Sequence, residues 1–448
     1  MKRAAALAVA ALLVPALARA NPPDTYGFGS REVALGGAAA AETRGVAAGY
    51  YNPAALARSR GLELSLGYFH AAHAFEMNGQ GSEVDPVRGI VGGLVVPGKV
   101  FHVPVAFGVA LHLPNDRLAR TRSRPQDEPR WELYDNRNQR LFFAANVAIE
   151  PLPWLQIGGG ISFVSATTAR LDVTGSADLF RSDDSALRHE VDASFVAVRY
   201  PQLGVRVALS ERIALAMVYR GEVQQNLDLR ARLKGDVSGL TTALYELESR
   251  SVSGFVPQQV VLGGSWALTR RTQLTFDLTW VDWSAYVAPA SQLDAVLDIP
   301  PPAGGWPSTI APPTPPPPSR VIPLRLRDRV VPRAGVEWEP ARGFFVRAGY
   351  AWMKSPIEAQ SGFTTYVDRD LHTLALGGGL AVRSGSRLVP GTLSVDAHAQ
   401  VGVLPEATTR KASPADFVGD FRARGDFLNL GLTATFAFGR GREEEERR

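Results

Sequence analysis

Few residues of this chain have the types and spacing that covalent chemistry needs. Gly93-Leu94-Val95-Val96-Pro97-Gly98-Lys99 has the spacing of a phosphate-binding loop. Val100 stands where a Ser or Thr would hold magnesium, and no helical pattern follows, so the match reads as chance. His70 and His73 are three residues apart, and on a strand such a pair points to opposite faces and cannot share a metal. They are read as loop histidines. Ser394 and His398 share one strand face, but no nucleophile element such as G-x-S-x-G accompanies them, and polar packing is the expected role. The chain has no cysteine, which removes thiolate metal sites and disulfides together. No enzyme, metal site or cofactor is expected.

Binding chemistry is better represented. Strand parity places Arg220, Arg333 and Arg347 on a polar face, and arginine can grip a carboxylate with two hydrogen bonds. These three are candidate carboxylate-binding residues for a ligand lying in an apolar sleeve. The competing reading pairs them with acids such as Glu222 or Glu337. A second candidate element is Gly36 to Ala57, a small and nearly uncharged stretch that closes on Tyr50-Tyr51-Asn52-Pro53-Ala54. Small residues let backbones approach closely, and Asn-Pro turns the chain, so this stretch reads as a compact plug.

The elements that must position these residues are strands. In 427–438, Leu428, Leu430, Leu432, Ala434, Phe436 and Phe438 alternate with Asn429, Gly431, Thr433, Thr435 and Ala437. Period two with one apolar face marks a half-exposed strand. The same pattern recurs in 393–401 and 273–280. Turn signals divide the chain into about fourteen strands, near 61–71, 88–97, 103–113, 138–150, 154–176, 188–209, 213–234, 254–268, 272–285, 321–339, 343–354, 368–383, 391–403 and 425–438. Their connections alternate between short and long, as in outer-membrane barrels with short periplasmic turns and long outer loops. A proline-rich run, 300–323, favours extended conformation and lies mostly in the long loop 286–320.

The ends and the composition agree with this fold class. Residues 1–20 combine a basic start, an apolar run and Ala18-Arg19-Ala20, the pattern of a secretory signal. No later segment offers some twenty uncharged apolar residues for a spanning helix. Removing Lys2, Arg3 and Arg19 takes the formal charge of +4 to near neutral, without the basic domain that nucleic-acid binding favours. The expected organisation is a signal at 1–20, a plug at 21–60, an all-β transmembrane barrel of antiparallel strands at 61–438, and a charged tail at 439–448.

These motifs resemble the FadL-type outer-membrane transporters of long-chain fatty acids and other hydrophobic compounds. The Asn52-Pro53-Ala54 element follows a small-residue plug. Val256-Pro257-Gln258-Gln259 through Trp283-Ser284 is similar to the family's central hairpin. Arg327-Asp328-Arg329, Ala334-Gly335-Val336 and Lys354-Ser355-Pro356 follow in the family's order. The resemblance implies an amino-terminal hatch inside a fourteen-stranded barrel. It implies capture of a hydrophobic ligand at an outer groove, transfer to a buried apolar pocket, and sideways release where a kinked third strand meets the Asn-Pro-Ala element. By position that strand is Val103 to Leu113, and Gly108, its only glycine, is the candidate kink. Phe28, Tyr50 and Tyr51 are candidates for the hydrophobic path.

The expectation is therefore passive uptake of hydrophobic small molecules across the bacterial outer membrane by a monomer. Its surroundings would be outer-membrane lipid and lipopolysaccharide, and its insertion would use the barrel assembly machinery. A general diffusion porin and a structural or adhesive surface barrel are the alternatives.

Overall fold

A computed structural model describes residues 22–439, apart from 118–128, 136–139, 177–185, 238–240, 287–291, 299, 302–303, 306–325, 359–360, 363–365, 385–389 and 417. The signal-like segment, most of the proline-rich run and the charged tail lie outside the described residues.

Fourteen strands form the wall of a closed antiparallel barrel. They are β1 Glu63–Met77, β2 Val87–Val100, β3 Val103–Pro114, β4 Phe142–Leu152, β5 Leu155–Ser176, β6 Ala186–Ala208 and β7 Ile213–Arg220. Then follow β8 Gln259–Ala267, β9 Thr272–Val281, β10 Arg329–Ala341, β11 Phe344–Met353, β12 Leu371–Arg383, β13 Gly391–Thr409 and β14 Phe421–Phe438. Each pairs with its sequence neighbours, and β1 closes the circle on β14 from Glu63↔Ala437 to Met77↔Ala423. Closure leaves no unpaired edge, which is what lets a sheet cross lipid. Among the described residues no helix is long and apolar enough to do so.

Period two decides which side chains face out. On β14, Leu428, Leu430 and Leu432 are exposed while Phe427, Asn429 and Thr433 are buried. Leu64 and Leu66 on β1, and Leu374 and Leu376 on β12, continue the outer apolar band. Trp154, Trp266 and Trp338 stand exposed near the short-turn end, where aromatic rings suit the lipid–water boundary.

The long-loop end carries extra sheet. Val223–Val237 and Thr241–Val256 pair as a hairpin above β7 and β8, and Gln292–Asp298 adds to it. Two expectations need correction. His70 and His73 lie within β1 rather than in a loop. β3 is also not interrupted at Gly108, because its ladders with β2 and β4 run through that position without a register shift. Gly108 serves a close approach instead: a Cβ there would stand 2.6 Å from Cδ2 of Leu56.

Candidate functional site

The segment before β1 folds as short helices at Pro22–Tyr26, Ser30–Ala34 and Ala48–Tyr51, with 3₁₀ turns at Gly45–Ala47 and Pro53–Arg58. Helices this short leave most of their backbone N–H and C=O groups without helical partners. Buried inside a barrel, those groups need partners from the wall. The wall's polar inner residues provide them from several sides. Asp277 on β9 accepts from the Ala39 and Ala40 amides at 2.8 and 2.9 Å. Arg206 on β6 donates to the Ala41 carbonyl at 2.7 Å. Asn146 on β4 and Gln202 on β6 both donate to the Gly49 carbonyl, at 3.1 and 2.6 Å. On β14, Thr433 accepts from the Ser30 amide at 3.1 Å and Asn429 donates to the Tyr26 carbonyl at 3.1 Å. Contacts to β4, β6, β9 and β14 place this hatch within the lumen.

Gly36 and Gly37 take left-handed angles, φ 66° and 76°. At Gly36 the hatch backbone runs against the wall backbone at Gly349 and Tyr350, with no room for a side chain on either glycine.

Asn52-Pro53-Ala54 forms the entry to the last 3₁₀ turn. Asn52 Oδ1 accepts from the Ala54 amide at 3.0 Å, and Nδ2 donates to the Ala40 carbonyl at 2.8 Å. The side chain thus caps its own turn and ties it to an earlier part of the hatch. The motif lies on Gly158 of β5 and Gly204 of β6, which face each other in the ladder. A Cβ at 158 would stand 2.5 Å from the Ala54 amide nitrogen, and one at 204 would collide with Asn52 Oδ1. Leu56, further along the same turn, packs on β3 at Gly108. Phe28, Tyr50 and Tyr51 are buried, and each borders a cavity, Phe28 on the short-turn side of the hatch and the two tyrosines on the other. Phe28 and Tyr50 pack edge-on to Phe142, with ring centroids 6.3 and 6.0 Å away. Tyr51 Oη accepts from the Phe28 amide at 3.1 Å, and Tyr50 donates to Asp24 at 2.6 Å.

The three candidate arginines separate into three roles. Arg220 donates to the carbonyls of Tyr50 and Tyr51 at 3.1 and 3.2 Å and to Gln259 at 3.0 Å, so it holds the hatch. Arg347 pairs with Glu337 at 2.5 Å and Asp396 at 2.7 Å, the ion-pair reading considered for these residues. Glu337 also accepts from Arg31 of the hatch at 2.9 and 3.0 Å. Arg333 differs: its side chain donates to Thr279 Oγ1 at 2.6 Å and forms no ion pair among the described residues. It lines two cavities, of about 40 and 50 Å³, on the long-loop side of the hatch.

Beyond these cavities lies an aromatic core that strand counting did not reveal. Phe75 packs against Trp131 and Tyr134, both at 4.8 Å, and Phe255 packs against Tyr286 at 4.7 Å. Trp131 and Tyr134 come from the long connection after β3. Their clustering within Trp131-Glu132-Leu133-Tyr134 was the available signal. On the short-turn side, a cavity of about 290 Å³ separates hatch from wall, bordered by Phe28, Val46, Ser65, Val91, Thr433 and Asp396.

The sequence profile of the outer membrane protein transport proteins (OMPP1/FadL/TodX) matches residues 16–436. The chain belongs to that family. Like its other members it is an outer-membrane β-barrel, and the family is one of transport proteins for hydrophobic compounds. Among curated proteins none matches the sequence. Solved structures share its fold at low identity. A FadL homologue of Pseudomonas aeruginosa superposes with a TM-score of 0.60 at 16% identity, covering 95% of this chain and 99% of that one. The toluene transporter TodX of P. putida gives 0.54 at 13%, over 93% and 100%. The toluene transporter TbuX of Ralstonia pickettii gives 0.53 at 14%, over 92% and 99%.

Proposed function

We propose that this barrel takes up hydrophobic small molecules such as long-chain fatty acids, passively, and releases them sideways past the hatch. The observation that carries this reading is a buried aromatic core stacked on a hatch that the wall holds from several sides. An apolar sleeve ending on a plug suits a ligand that leaves water. A diffusion porin instead needs a wet lumen. Transfer would run down a gradient of apolar burial, worth about 0.8 kcal/mol for each methylene buried.

Sideways exit would pass between β5 and β6. There the Asn-Pro-Ala turn covers a wall bare of side chains at Gly158 and Gly204. The ladder is continuous at this level, so passage requires its bonds to part transiently. The protein would act as a monomer among outer-membrane lipid and lipopolysaccharide, exported by its first twenty residues and inserted by the barrel assembly machinery.

The test is uptake of labelled palmitate and labelled toluene by cells with and without the chain. Single-channel conductance is measured beside it. Accelerated uptake with negligible ion conductance supports the reading, and a large steady conductance without hydrophobic uptake refutes it. For exit, cysteines at Ile157 and Val205, paired on the lipid face in a chain with no others, lock β5 to β6 on oxidation. Uptake unchanged by that lock would rule out this seam.

A further inference from the structure

After Phe438 the sequence runs Gly439-Arg440-Gly441-Arg442, then four consecutive glutamates, Glu443 to Glu446, and then Arg447-Arg448. The wall fixes where this segment starts. The Phe438 amide donates to the Leu62 carbonyl at 2.8 Å, and the Gly439 amide to the Pro390 carbonyl at 3.0 Å. The chain therefore leaves β14 at the short-turn end, beside the turn between β12 and β13. Ala437 and Thr435, at the end of β14, border the cavity of about 290 Å³ between hatch and wall, and Arg44 borders it too. Arg44, Glu337 and Phe345 also border a second cavity of about 460 Å³, walled by Arg212 of the β6–β7 turn and by Arg270 and Arg271 of the β8–β9 turn. The two adjoin through these shared residues and form one mouth.

The arginines of this mouth are lightly held. Arg44 meets Glu42 and Glu337 only at 3.9 Å, and its side chain is 56% exposed. Arg212 and Arg270 are exposed and form no ion pair among the described residues. Arg271 reaches only the Pro340 carbonyl, at 3.4 Å. Of the acids here, Glu337 is taken by Arg31 and Arg347, and Glu339 accepts from the Gly343 amide at 2.8 Å. Glu211 completes the set, so cations are in excess. The glutamate block is within reach: Glu443 to Glu446 follow Gly439 by four to seven residues, about 13–25 Å along an extended chain.

We propose that Arg44, Arg212, Arg270 and Arg271 form a docking surface for the chain's own Glu443 to Glu446, which close the mouth from the short-turn end. Guanidinium and carboxylate pair through two parallel hydrogen bonds. Arg442 and Arg447, on either side of the block, match Glu211 and Glu339. Exposed ion pairs are weak singly and are screened by salt. The tether offsets this, because it holds the block at an effective concentration on the order of millimolar. The docked segment separates the hatch cavity from the water at this end, whatever the barrel carries, so the proposal stands apart from the transport reading.

The test uses the protein in detergent with Thr392→Cys as reporter, since Thr392 borders the hatch cavity and the chain has no cysteine of its own. The reading is the rate of labelling by an uncharged maleimide, and heat-modifiability on a gel confirms the barrel in every variant. Removing residues 440–448 should speed labelling several-fold. Changing Glu443, Glu444, Glu445 and Glu446 together to Gln should do the same with the segment's length kept. Arg270→Gln with Arg271→Gln should also speed it. About 0.5 M sodium chloride should bring the intact chain to the truncated rate, because screening removes the attraction. A synthetic peptide of residues 439–448, at millimolar concentration, should slow the truncated protein again. Equal rates for the intact and truncated folded proteins overturn the docking. Acceleration by truncation but not by the glutamine change overturns the charge pairing. A slow rate kept by the double arginine variant overturns this surface. Protection that follows added phosphatidylglycerol and not the tail would make the occupant a lipid headgroup and overturn the proposal.

Discussion

Asn52 Oδ1 occupies the space in which a side chain on Gly204 would begin. Hatch and wall therefore interlock at this missing Cβ on β6, as they do at Gly158 on β5. Gly204→Val should push the Asn-Pro-Ala turn off the wall, breaking the Asn52 bond to the Ala40 carbonyl. The expected cost is about 1–3 kcal/mol, from overpacking and an unsatisfied buried carbonyl. A lowered thermal midpoint checks this. Gly98→Val is the control: an added Cβ there meets nothing closer than 3.7 Å, so its midpoint should match the wild type.

The Arg31–Glu337 contact joins the hatch to β10 with two hydrogen bonds, and Arg347 shares the same carboxylate. Removing one partner of a buried ion pair strands the other charge. Glu337→Ala should cost about 3–5 kcal/mol, more than a surface pair could contribute. Arg31→Met with Glu337→Met should cost less than the two single changes added together. Trypsin cleavage after Arg31 or Arg44 in the detergent-solubilised protein reports release of the hatch. Equal cleavage in wild type and Glu337→Ala would show that the pair does not hold it.

The wall was legible in the sequence because its physics is local. A strand facing lipid on one side and a polar lumen on the other must alternate. Leu428, Leu430 and Leu432 announced their facing before any fold was known, and each proposed strand has its counterpart in the barrel. The roles of the inner arginines were not legible, because parity gives the face and not the partner. Arg220 and Arg347 point inward as expected, yet the carbonyls and acids that occupy them lie as far as 170 residues away in sequence. Gly108 misled for a similar reason. A glycine in a strand marks either a bend or a close approach, and only the position of Leu56 decides between them.

The outer stripe makes a simple energetic prediction. Leu432 is 53% exposed on the outer face, between Tyr68 of β1 and Ala397 of β13. Leu432→Arg puts a cation into hydrocarbon. It should cost about 2–4 kcal/mol if its level is the bilayer midplane and less toward either interface. Folding titrations into lipid vesicles measure it, and an unchanged titration would place the residue at an interface.

Asp368 lies in the long connection between β11 and β12. Burial pushes its carboxyl up from 3.8 to about 6, against the hydrogen bond from Ser355. The fold thus holds the proton more tightly than the unfolded chain does. Its contribution to stability is fully present below about pH 3.8 and is lost as pH rises through 6. Asp368→Asn keeps an acceptor for Ser355 and cannot ionise. It should raise the thermal midpoint at pH 7.5 and have little effect at pH 4.5. A gain of equal size at both pH values would show that ionisation of Asp368 is not the cause.

The Asn-Pro-Ala turn offers the sharpest functional test, because each of its residues has a separable physical part. Asn52 is a fully buried amide that accepts from Ala54 and donates to Ala40, so Asn52→Ala leaves a carbonyl and an amide without partners. That should cost about 1–3 kcal/mol and loosen the turn. Pro53 fixes the first angle of the 3₁₀ turn and lacks the N–H that would have no helical partner there. Ala54 is fully buried against Gly158, so Ala54→Leu overfills the seam between β5 and β6 without removing any hydrogen-bonding side chain. If ligand leaves past this turn, both variants should lower uptake of labelled palmitate while the barrel keeps its heat-modifiable band. The two should differ in direction on the hatch: Asn52→Ala frees it to proteolysis, and Ala54→Leu wedges the seam. Wild-type uptake in both folded variants would mean that the turn only links hatch to wall. Loss of the folded band in both would make the turn a structural hinge and leave the exit to be sought elsewhere along the wall.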